Sequence, residues 1–246
     1  MALSMSAKAQ ALPEVLHGFI EQASQHLAAY QNKAWAQRYT RLMRDVQQAT
    51  QAAGLSDDTL SMTVARSLHK LMSYKDEYEV ARLFSDKAFQ AQLDAQFEGD
   101  YRLAFHMSPP ALFKESNGKT PRKVTLGAWM RPVLGLLAKA KVLRGTIWDP
   151  FGYPHERRME RHLIDAHITL VQEVLPLVNT KNKDLMRDIM ALPLSMRGFG
   201  HVKARNVRAA QSRQAWLFHR IDPTRYPRPP QDTGLQQFRG VAIRSV

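Results

Sequence analysis

The sequence predicts a mainly α-helical fold with a small antiparallel β-ribbon around residues 101–126. Apolar residues recur at steps of three and four through most of the 246 residues, which is the period of one buried helical face. Between Tyr101 and Met107 apolar and polar residues alternate, which indicates a strand with one buried face. With 44% hydrophobic residues, the chain is long enough to bury a substantial core.

The first hundred residues are predicted to form a series of helices. Apolar spacing places the first three over residues 14–30, 34–53 and 60–81. Gly54 suits the C-terminal cap of the second helix, and the third is expected to be one long helix with a kink near Ser73. Asp86 is expected to cap the start of a further helix that ends at Gly99.

The strand at residues 101–107 is expected to pair with residues 122–126 and, because a two-stranded ribbon is marginal alone, to pack against helices. Helical spacing then resumes, and Pro132 is compatible with a helix only in its first turn. The later helices are predicted over residues 127–143, 155–175, 182–191 and 201–219. The helix that begins at His155 is expected to bury a stripe made of Met159, Leu163, Ala166, Leu170 and Val174.

The absence of cysteine excludes disulfides, thiolate catalysis and a cysteine-ligated iron–sulfur cluster built by this chain alone. Nine histidines are present, but no HExxH motif occurs, so the sequence predicts no metal site in this chain. No apolar run approaches the roughly 20 residues that span a bilayer. The first residues also lack the compact apolar stretch of a secretory signal, so we expect a cytoplasmic protein with no membrane partner.

The net charge of +13 is concentrated toward the end of the chain. From Arg197 onward there are ten Lys and Arg residues against two acids, a balance of 10 − 2 = +8. Such a segment attracts nucleic acid, nucleotide phosphates or an acidic partner, and a solvated basic tail is the alternative. We therefore divide the chain into a helical domain over residues 1–221 and a basic, Pro-rich tail over residues 222–246 that is expected to be irregular.

Two basic clusters are candidates for a site that binds an anion or a partner. In "HERRMERHL", Arg157 and Arg161 share a helical face, with Arg158 beside them, and guanidinium groups bind carboxylates or phosphates through two parallel hydrogen bonds. Ion pairs with Glu156 or Glu160 are the alternative.

The second cluster is "RGFGHVK", which contains Arg197, Gly198, Gly200, His201 and Lys203. Two glycines before a helix permit close backbone approach, and free N–H groups at a helix start bind anions. The segment lacks the third glycine and the preceding strand of a dinucleotide site, and it lacks the ending of a P-loop. The alternative is a structural turn between two helices with His201 and Lys203 on the surface.

Two weaker hypotheses concern catalysis and nucleic acid. Asp76 and Glu77 are adjacent carboxylates that could serve acid–base catalysis, although a solvated Glu79–Arg82 pair is the simpler interpretation, so no catalytic residue is predicted. Four aromatic residues in the basic segment could stack on bases: Trp216, Phe218, Tyr226 and Phe238. The sequence contains no motif of a known nucleic-acid-binding module, so we do not expect nucleic acid as a partner.

Three blocks carry a resemblance to a known family: the run that contains "YKDEYEVARL", the run with "DPFG" and "ERRMER", and "RGFGHVK". Over residues 25–220 the chain resembles the C-terminal region of the fused indolepyruvate ferredoxin oxidoreductases, members of the 2-oxoacid:acceptor oxidoreductases. The resemblance implies an enzyme that decarboxylates aryl pyruvates with thiamine diphosphate, passes electrons through iron–sulfur clusters to ferredoxin and releases an acyl-CoA.

None of that catalytic machinery is expected in this chain. The thiamine-diphosphate signature is missing, since "EGDYR" departs from it after Gly99, and there is no cysteine for a cluster. The resemblance therefore implies an accessory domain that contacts the thiamine-diphosphate and γ-type domains or subunits, while those other parts hold the thiamine diphosphate, the clusters and coenzyme A. Self-association into a homo-oligomer and a stand-alone basic protein that binds nucleic acid or another anion remain open.

Overall fold

The computed structural model describes residues 4–99, 102–107 and 124–229. Most of these residues are helical, and they include one two-stranded antiparallel sheet, which confirms the predicted fold class. The helices are α1 (Ser4–Tyr30), α2 (Lys33–Ala52), α3 (Thr59–Met72), α4 (Glu77–Ser85), α5 (Lys87–Gln96), α6 (Met130–Lys139), α7 (His155–Val174), α8 (Lys183–Met190), α9 (Leu192–Ser195) and α10 (Gly200–Ile221). The strands are β1 (Ala104–Met107) and β2 (Val124–Gly127).

The chain divides into two compact units. The larger unit consists of Met1–Tyr74 together with Tyr153–Val246, and the inserted unit consists of Lys75–Gly152. This division falls inside the segment 1–221, which the sequence treats as one helical domain. Each unit has its own cluster of buried apolar side chains.

The core of the larger unit lies around α3, which packs against α1, α2, α7, α8 and α9. The predicted stripe of α1 is buried at Leu16 and Leu27, and α2 begins where the Asn32 carboxamide accepts a hydrogen bond from the Trp35 N–H at 2.9 Å. Tyr39 is also buried, and its hydroxyl donates to the Ala65 carbonyl at 3.3 Å. Burial raises the pKa of Tyr39, so this hydroxyl stays protonated at physiological pH.

The prediction of one long helix from Leu60 to Ala81 is wrong. The helix α3 ends at Met72, and α4 begins at Glu77. Asp76 has an extended backbone, and its carboxylate accepts a hydrogen bond from the Glu79 N–H at 2.8 Å, so it caps a new helix. The apolar residues of α3 and α4 recur at the same steps of three and four, so the apolar spacing alone did not indicate this break.

The inserted unit packs α4 against α6 and encloses Ala81, Phe105 and Leu134. The predicted pairing of the two strands is confirmed, with Phe105 opposite Leu126, and the loop over residues 108–123 lies outside the described residues. Pro132 occupies the first turn of α6, as predicted.

The helix α5 begins where the sequence predicts a helix. Asp86 caps α5 by accepting a hydrogen bond from the Ala88 N–H at 3.0 Å, which confirms its predicted role. The helix itself has no buried residue, so its predicted apolar stripe does not form part of a core.

The helix α7 buries a face that overlaps the predicted one and is shifted from it, and Met159 and Leu170 of the predicted stripe pack against the core. Leu163 and Val174 are buried as expected, but Ala166 is exposed. The buried stripe consists of Glu160, Ile164, His167, Val171 and Val174, which follow one another at steps of three and four. The prediction missed this stripe because two of its members are polar.

The last part of the described chain follows the predicted helices closely. The segments 182–191 and 201–219 correspond to α8 and α10, whereas the short helix α9 between them was not predicted. Residues 222–229 form turns and irregular structure, as expected for the start of the tail. The rest of the predicted tail, residues 230–246, lies outside the described residues.

Candidate functional site

The two basic clusters predicted from the sequence lie together in the larger unit. The first turns of α7 carry Arg157, Arg158 and Arg161, and the "RGFGHVK" residues occupy the turn after α9 and the first turn of α10. Lys203, in the first turn of α10, forms a salt bridge with Glu160 of α7. The structure therefore joins two segments that are separated by about forty residues in the chain.

The Glu160–Lys203 pair is removed from solvent. The exposed fraction of the side chain is 8% for Glu160 and 14% for Lys203. Breaking such a pair leaves an uncompensated charge in a medium of low dielectric constant, so the two groups hold α7 and α10 together. Lys203 is thus not on the surface, contrary to the turn hypothesis, and Glu160 already occupies its ammonium group.

The start of α10 is also occupied by a carboxylate of this chain. Gly200 has φ +56°, and a Cβ atom there would lie 3.3 Å from Oε1 of Glu156. The Glu156 carboxylate therefore lies against the helix start, where the N–H groups and the helix dipole favour negative charge. An external anion at this position would compete with Glu156.

Gly198 makes the turn that precedes α10 tight. Its φ is +100°, and a Cβ atom would lie 2.8 Å from Cγ1 of Val202. The Asn206 carboxamide donates to the Arg197 carbonyl at 2.7 Å, which closes the turn from the other side. Packing thus requires a glycine at position 198, and the positive φ angles favour glycine at both 198 and 200, which agrees with the interpretation of this segment as a structural turn.

Lys70, which belongs to neither basic cluster, supports the same region. Its ammonium group donates to the carbonyls of Pro193, Leu194 and Met196, at 2.6, 3.1 and 3.2 Å, at the end of α9. Burial and the nearby charge of Lys203 lower the pKa of Lys70 to about 8. The partners are backbone atoms more than a hundred residues away, so no sequence pattern indicates them.

The remaining members of the predicted set differ in exposure. Arg158, Arg197 and His201 are exposed, whereas Arg157 and Arg161 are half-buried. Arg197 donates from Nε to a carbonyl in α9, which leaves the rest of its guanidinium toward solvent. A surface that binds an anion or a partner at this position would thus be formed by Arg158, Arg197 and His201.

The inserted unit contains a second polar cluster. Arg144 donates to both carboxylate oxygens of Asp76, from Nε at 2.6 Å and from Nη2 at 2.9 Å, and both side chains are buried. Because the same carboxylate caps α4, Asp76 is fully engaged and is poorly placed to act as an acid or base. Glu79 and Arg82 do form the predicted ion pair at 2.7 Å, but Glu79 is buried, so their face is not the solvated one that we expected.

Asp149 connects this cluster to the "DPFG" segment. It accepts hydrogen bonds from the Tyr78 hydroxyl at 3.0 Å and from the N–H groups of Gly145 and Phe151 at 2.8 and 3.1 Å. Burial and the hydrogen bond to Asp149 raise the pKa of Tyr78. A Cβ atom at Gly152 would lie 2.7 Å from the Asp149 carboxylate, so the glycine is needed for this turn to close.

The aromatic residues of the basic segment contact other groups of the protein. The rings of Phe218 and Tyr226 lie 4.9 Å apart, and the Arg228 guanidinium lies over the Trp216 ring at 5.2 Å. Phe238 lies outside the described residues. These three described aromatic residues are thus engaged within the chain, which weakens the hypothesis that they stack on bases.

The inserted unit exposes several large apolar side chains. Trp129, Val133 and Leu136 share one face of α6, because they lie at i, i+4 and i+7, and the opposite face buries Leu134. The exposed fraction is 63% for Trp129 and 72% for Leu136. We define the α6 surface as these three residues. Val142, Ile147 and Trp148, which follow α6 in the same unit, are also exposed.

Within residues 4–99, 102–107 and 124–229, no group of three or more acidic or histidine side chains is arranged to hold a metal ion. Among the helices of the same residues, none combines the length and the apolar character that crossing a membrane requires.

Comparison with known proteins gives one match. Residues 16–215 match the sequence profile of DUF6537, which is described as a family of unknown function. No curated protein and no solved structure matches the chain significantly.

Proposed function

The chain belongs to the DUF6537 family of unknown function, and we propose that it is a non-catalytic accessory domain of an indolepyruvate-type 2-oxoacid ferredoxin oxidoreductase. In this role it binds the thiamine-diphosphate and γ-type domains or subunits of the enzyme, in the cytoplasm. The catalytic parts bind thiamine diphosphate, the iron–sulfur clusters and coenzyme A, and this chain helps to assemble them.

The α6 surface is the observation that carries this proposal. Large exposed apolar patches are uncommon on proteins that act alone, and they mark surfaces that bind a partner. Tryptophan is also among the residues that contribute most to binding energy in protein interfaces. Trp129 and Leu136 are 63% and 72% exposed, so a partner that covers this face of α6 would remove a large apolar area from water.

The positions of the resembling blocks give further support. The "YKDEYEVARL" and "DPFG" blocks meet through the contacts of Asp76 with Arg144 and of Tyr78 with Asp149. The "ERRMER" and "RGFGHVK" blocks meet through Glu160 and Lys203. Residues whose contacts stabilise a fold are expected to recur in domains that share the fold. The resembling blocks therefore have structural roles, and such roles fit an accessory domain better than a catalytic one.

In this function the exposed basic residues have a second role in binding. Arg158, Arg197 and His201 face solvent, so they are placed to meet an acidic partner or the phosphates of coenzyme A. Unchanged affinity for both coenzyme A and the catalytic subunits after Arg158→Ala, and likewise after Arg197→Ala, would exclude this part of the proposal.

Binding to the purified thiamine-diphosphate subunit of the same organism's enzyme tests the main proposal. We expect the tagged full chain to form a complex with it. A triple variant, Trp129→Ser, Val133→Ser and Leu136→Ser, should weaken the complex by about 100-fold. Val15→Ser changes an apolar residue of α1 that is 55% exposed, and it should leave the affinity unchanged.

Circular dichroism confirms that both variants are folded. Either the absence of any complex or equal affinity of the two variants would contradict the proposal.

The second candidate function is a stand-alone protein that binds nucleic acid, and the charge of +8 from Arg197 onward favours it. It requires binding to RNA or DNA that falls steeply as the salt concentration rises. Because the rings of Trp216, Phe218 and Tyr226 already contact other groups of the chain, such binding would use contacts with the nucleic-acid backbone and not base stacking. A shift of RNA or DNA mobility at low salt, together with no binding to the oxidoreductase, would favour this function.

A further inference from the structure

The larger unit contains a cavity of about 720 Å³ that neither basic cluster uses. The cavity is lined by residues of α3, α7, α8, α9 and α10 and by the irregular segment 226–229. Its wall is largely apolar, with contributions from Leu170, Ile189, Met196 and Phe218. This volume lies within the range of about 300–1,000 Å³ that is typical of sites for small organic molecules.

A few polar groups interrupt the apolar wall. His167 is buried, and its Nε2 lies 3.1 Å from the Ser67 hydroxyl. Because burial lowers the pKa of His167 to about 4, the ring is neutral at physiological pH. Gln211 and Gln214 lie one turn apart on α10, and within the described chain their carboxamides have no hydrogen-bond partner, so they can bind a polar group of a ligand.

The described lining of the cavity carries positive charge and no negative charge. Arg228 is the charged residue that lines the cavity, and no Asp or Glu lines it along the described residues. Its guanidinium lies over the Trp216 ring, and the described part of the chain provides no carboxylate partner for it. Arg228 is exposed, which places this cation at the solvent side of the cavity.

We propose that this cavity binds an amphipathic monocarboxylate, a molecule with an apolar body and one carboxylate group. The apolar body packs among the side chains of α7, α8 and α10. The carboxylate accepts hydrogen bonds from the Arg228 guanidinium and the carboxamide of Gln214, since a planar guanidinium binds a carboxylate through two parallel hydrogen bonds. This proposal is independent of the oxidoreductase assembly.

Three twelve-carbon probes that differ in charge test the proposal on the full chain: dodecanoate, dodecanol and dodecyltrimethylammonium. Calorimetric titration below the micelle concentration should give saturable one-to-one binding of dodecanoate. The cationic probe should bind at least about tenfold more weakly, because it would place a second positive charge beside Arg228.

Two arginine variants separate the site from the general positive charge of the protein. Arg228→Gln should weaken dodecanoate binding about tenfold through the loss of a charge-assisted hydrogen bond, and it should leave dodecanol binding unchanged. Arg225→Gln is the matched control, because Arg225 is an exposed arginine over a tyrosine ring in the same segment and does not line the cavity. It should bind dodecanoate as the wild type does.

A cavity-filling variant tests the location of the apolar body. Ala166 is exposed on α7 and lines the cavity, so Ala166→Trp places an indole ring there without replacing a core residue. It should abolish binding of dodecanoate while circular dichroism remains that of the wild type. Failure of dodecanoate to bind the wild type, equal affinity for the three probes, or equal effects of the two arginine variants would overturn the proposal.

Discussion

Acidification should destabilise the larger unit because His167 must be neutral to remain buried. The ring lies on the buried face of α7, and burial lowers its pKa to about 4 from an ordinary value of 6.5. The unfolded chain therefore binds a proton that the folded chain does not bind between these two values. The contribution of His167 to stability is complete above pH 6.5 and is lost as the pH falls through 4.

The size of the effect follows from the difference between the two pKa values. A difference of 6.5 − 4, or about 2.5 units, corresponds to about 3 kcal/mol over the whole range. At pH 5 the loss relative to pH 8 is about 2 kcal/mol. His69, whose pKa burial also lowers to about 4, acts in the same direction, but its ring is more exposed, so its contribution is smaller.

Urea unfolding at pH 8 and pH 5, followed by circular dichroism, measures this effect. His167→Gln keeps a hydrogen-bonding group beside Ser67 but does not titrate, so the wild type should lose about 2 kcal/mol more than this variant between the two pH values. His162→Gln, an exposed position on the same helix, should behave as the wild type does. Equal losses in the wild type and His167→Gln would refute the reasoning.

Changes at five further residues should alter stability in thermal or urea unfolding. Glu160→Met and Lys203→Met should each cost about 3 kcal/mol, whereas the double variant should cost far less, and additive effects would contradict a buried pair. Gly198→Ala should cost about 2 kcal/mol because of its positive φ, while Gly18→Ala, in α1 with open space around it, should gain about 0.5 kcal/mol. Tyr78→Phe should cost about 1 kcal/mol through the lost hydrogen bond to Asp149, and an unchanged midpoint would contradict this.

Local patterns were sufficient for most of the helices and for the ribbon. Asp86, Pro132 and the alternation around Phe105 have the structural roles that their residue types indicate. Each of these signals acts over a few residues, through a hydrogen bond of a cap, a fixed φ angle or one buried face, so it can be read from the sequence without knowledge of the packing.

The predictions failed where polar residues are buried by distant parts of the chain. Glu160 and His167 complete the buried stripe of α7, yet they do not count as apolar positions in a search for periodicity. Their spacing of seven residues, with Ile164 and Val171 on the same face, is the signal that could have revealed them. Asp76 likewise ends a continuous apolar pattern by capping α4 and pairing with Arg144.

Residue order and composition are sufficient to predict the helical class, the ribbon, the lack of cysteine chemistry and the concentration of positive charge near the end of the chain. Which charges are available depends on the packing of the folded chain. Lys203 is neutralised by Glu160, and Lys70 is held by the carbonyls at the end of α9, while Arg228 remains without a carboxylate partner in the described chain. Helical period depends on neighbours along the chain, whereas the pairing of a charge depends on groups that only folding brings within a few ångströms.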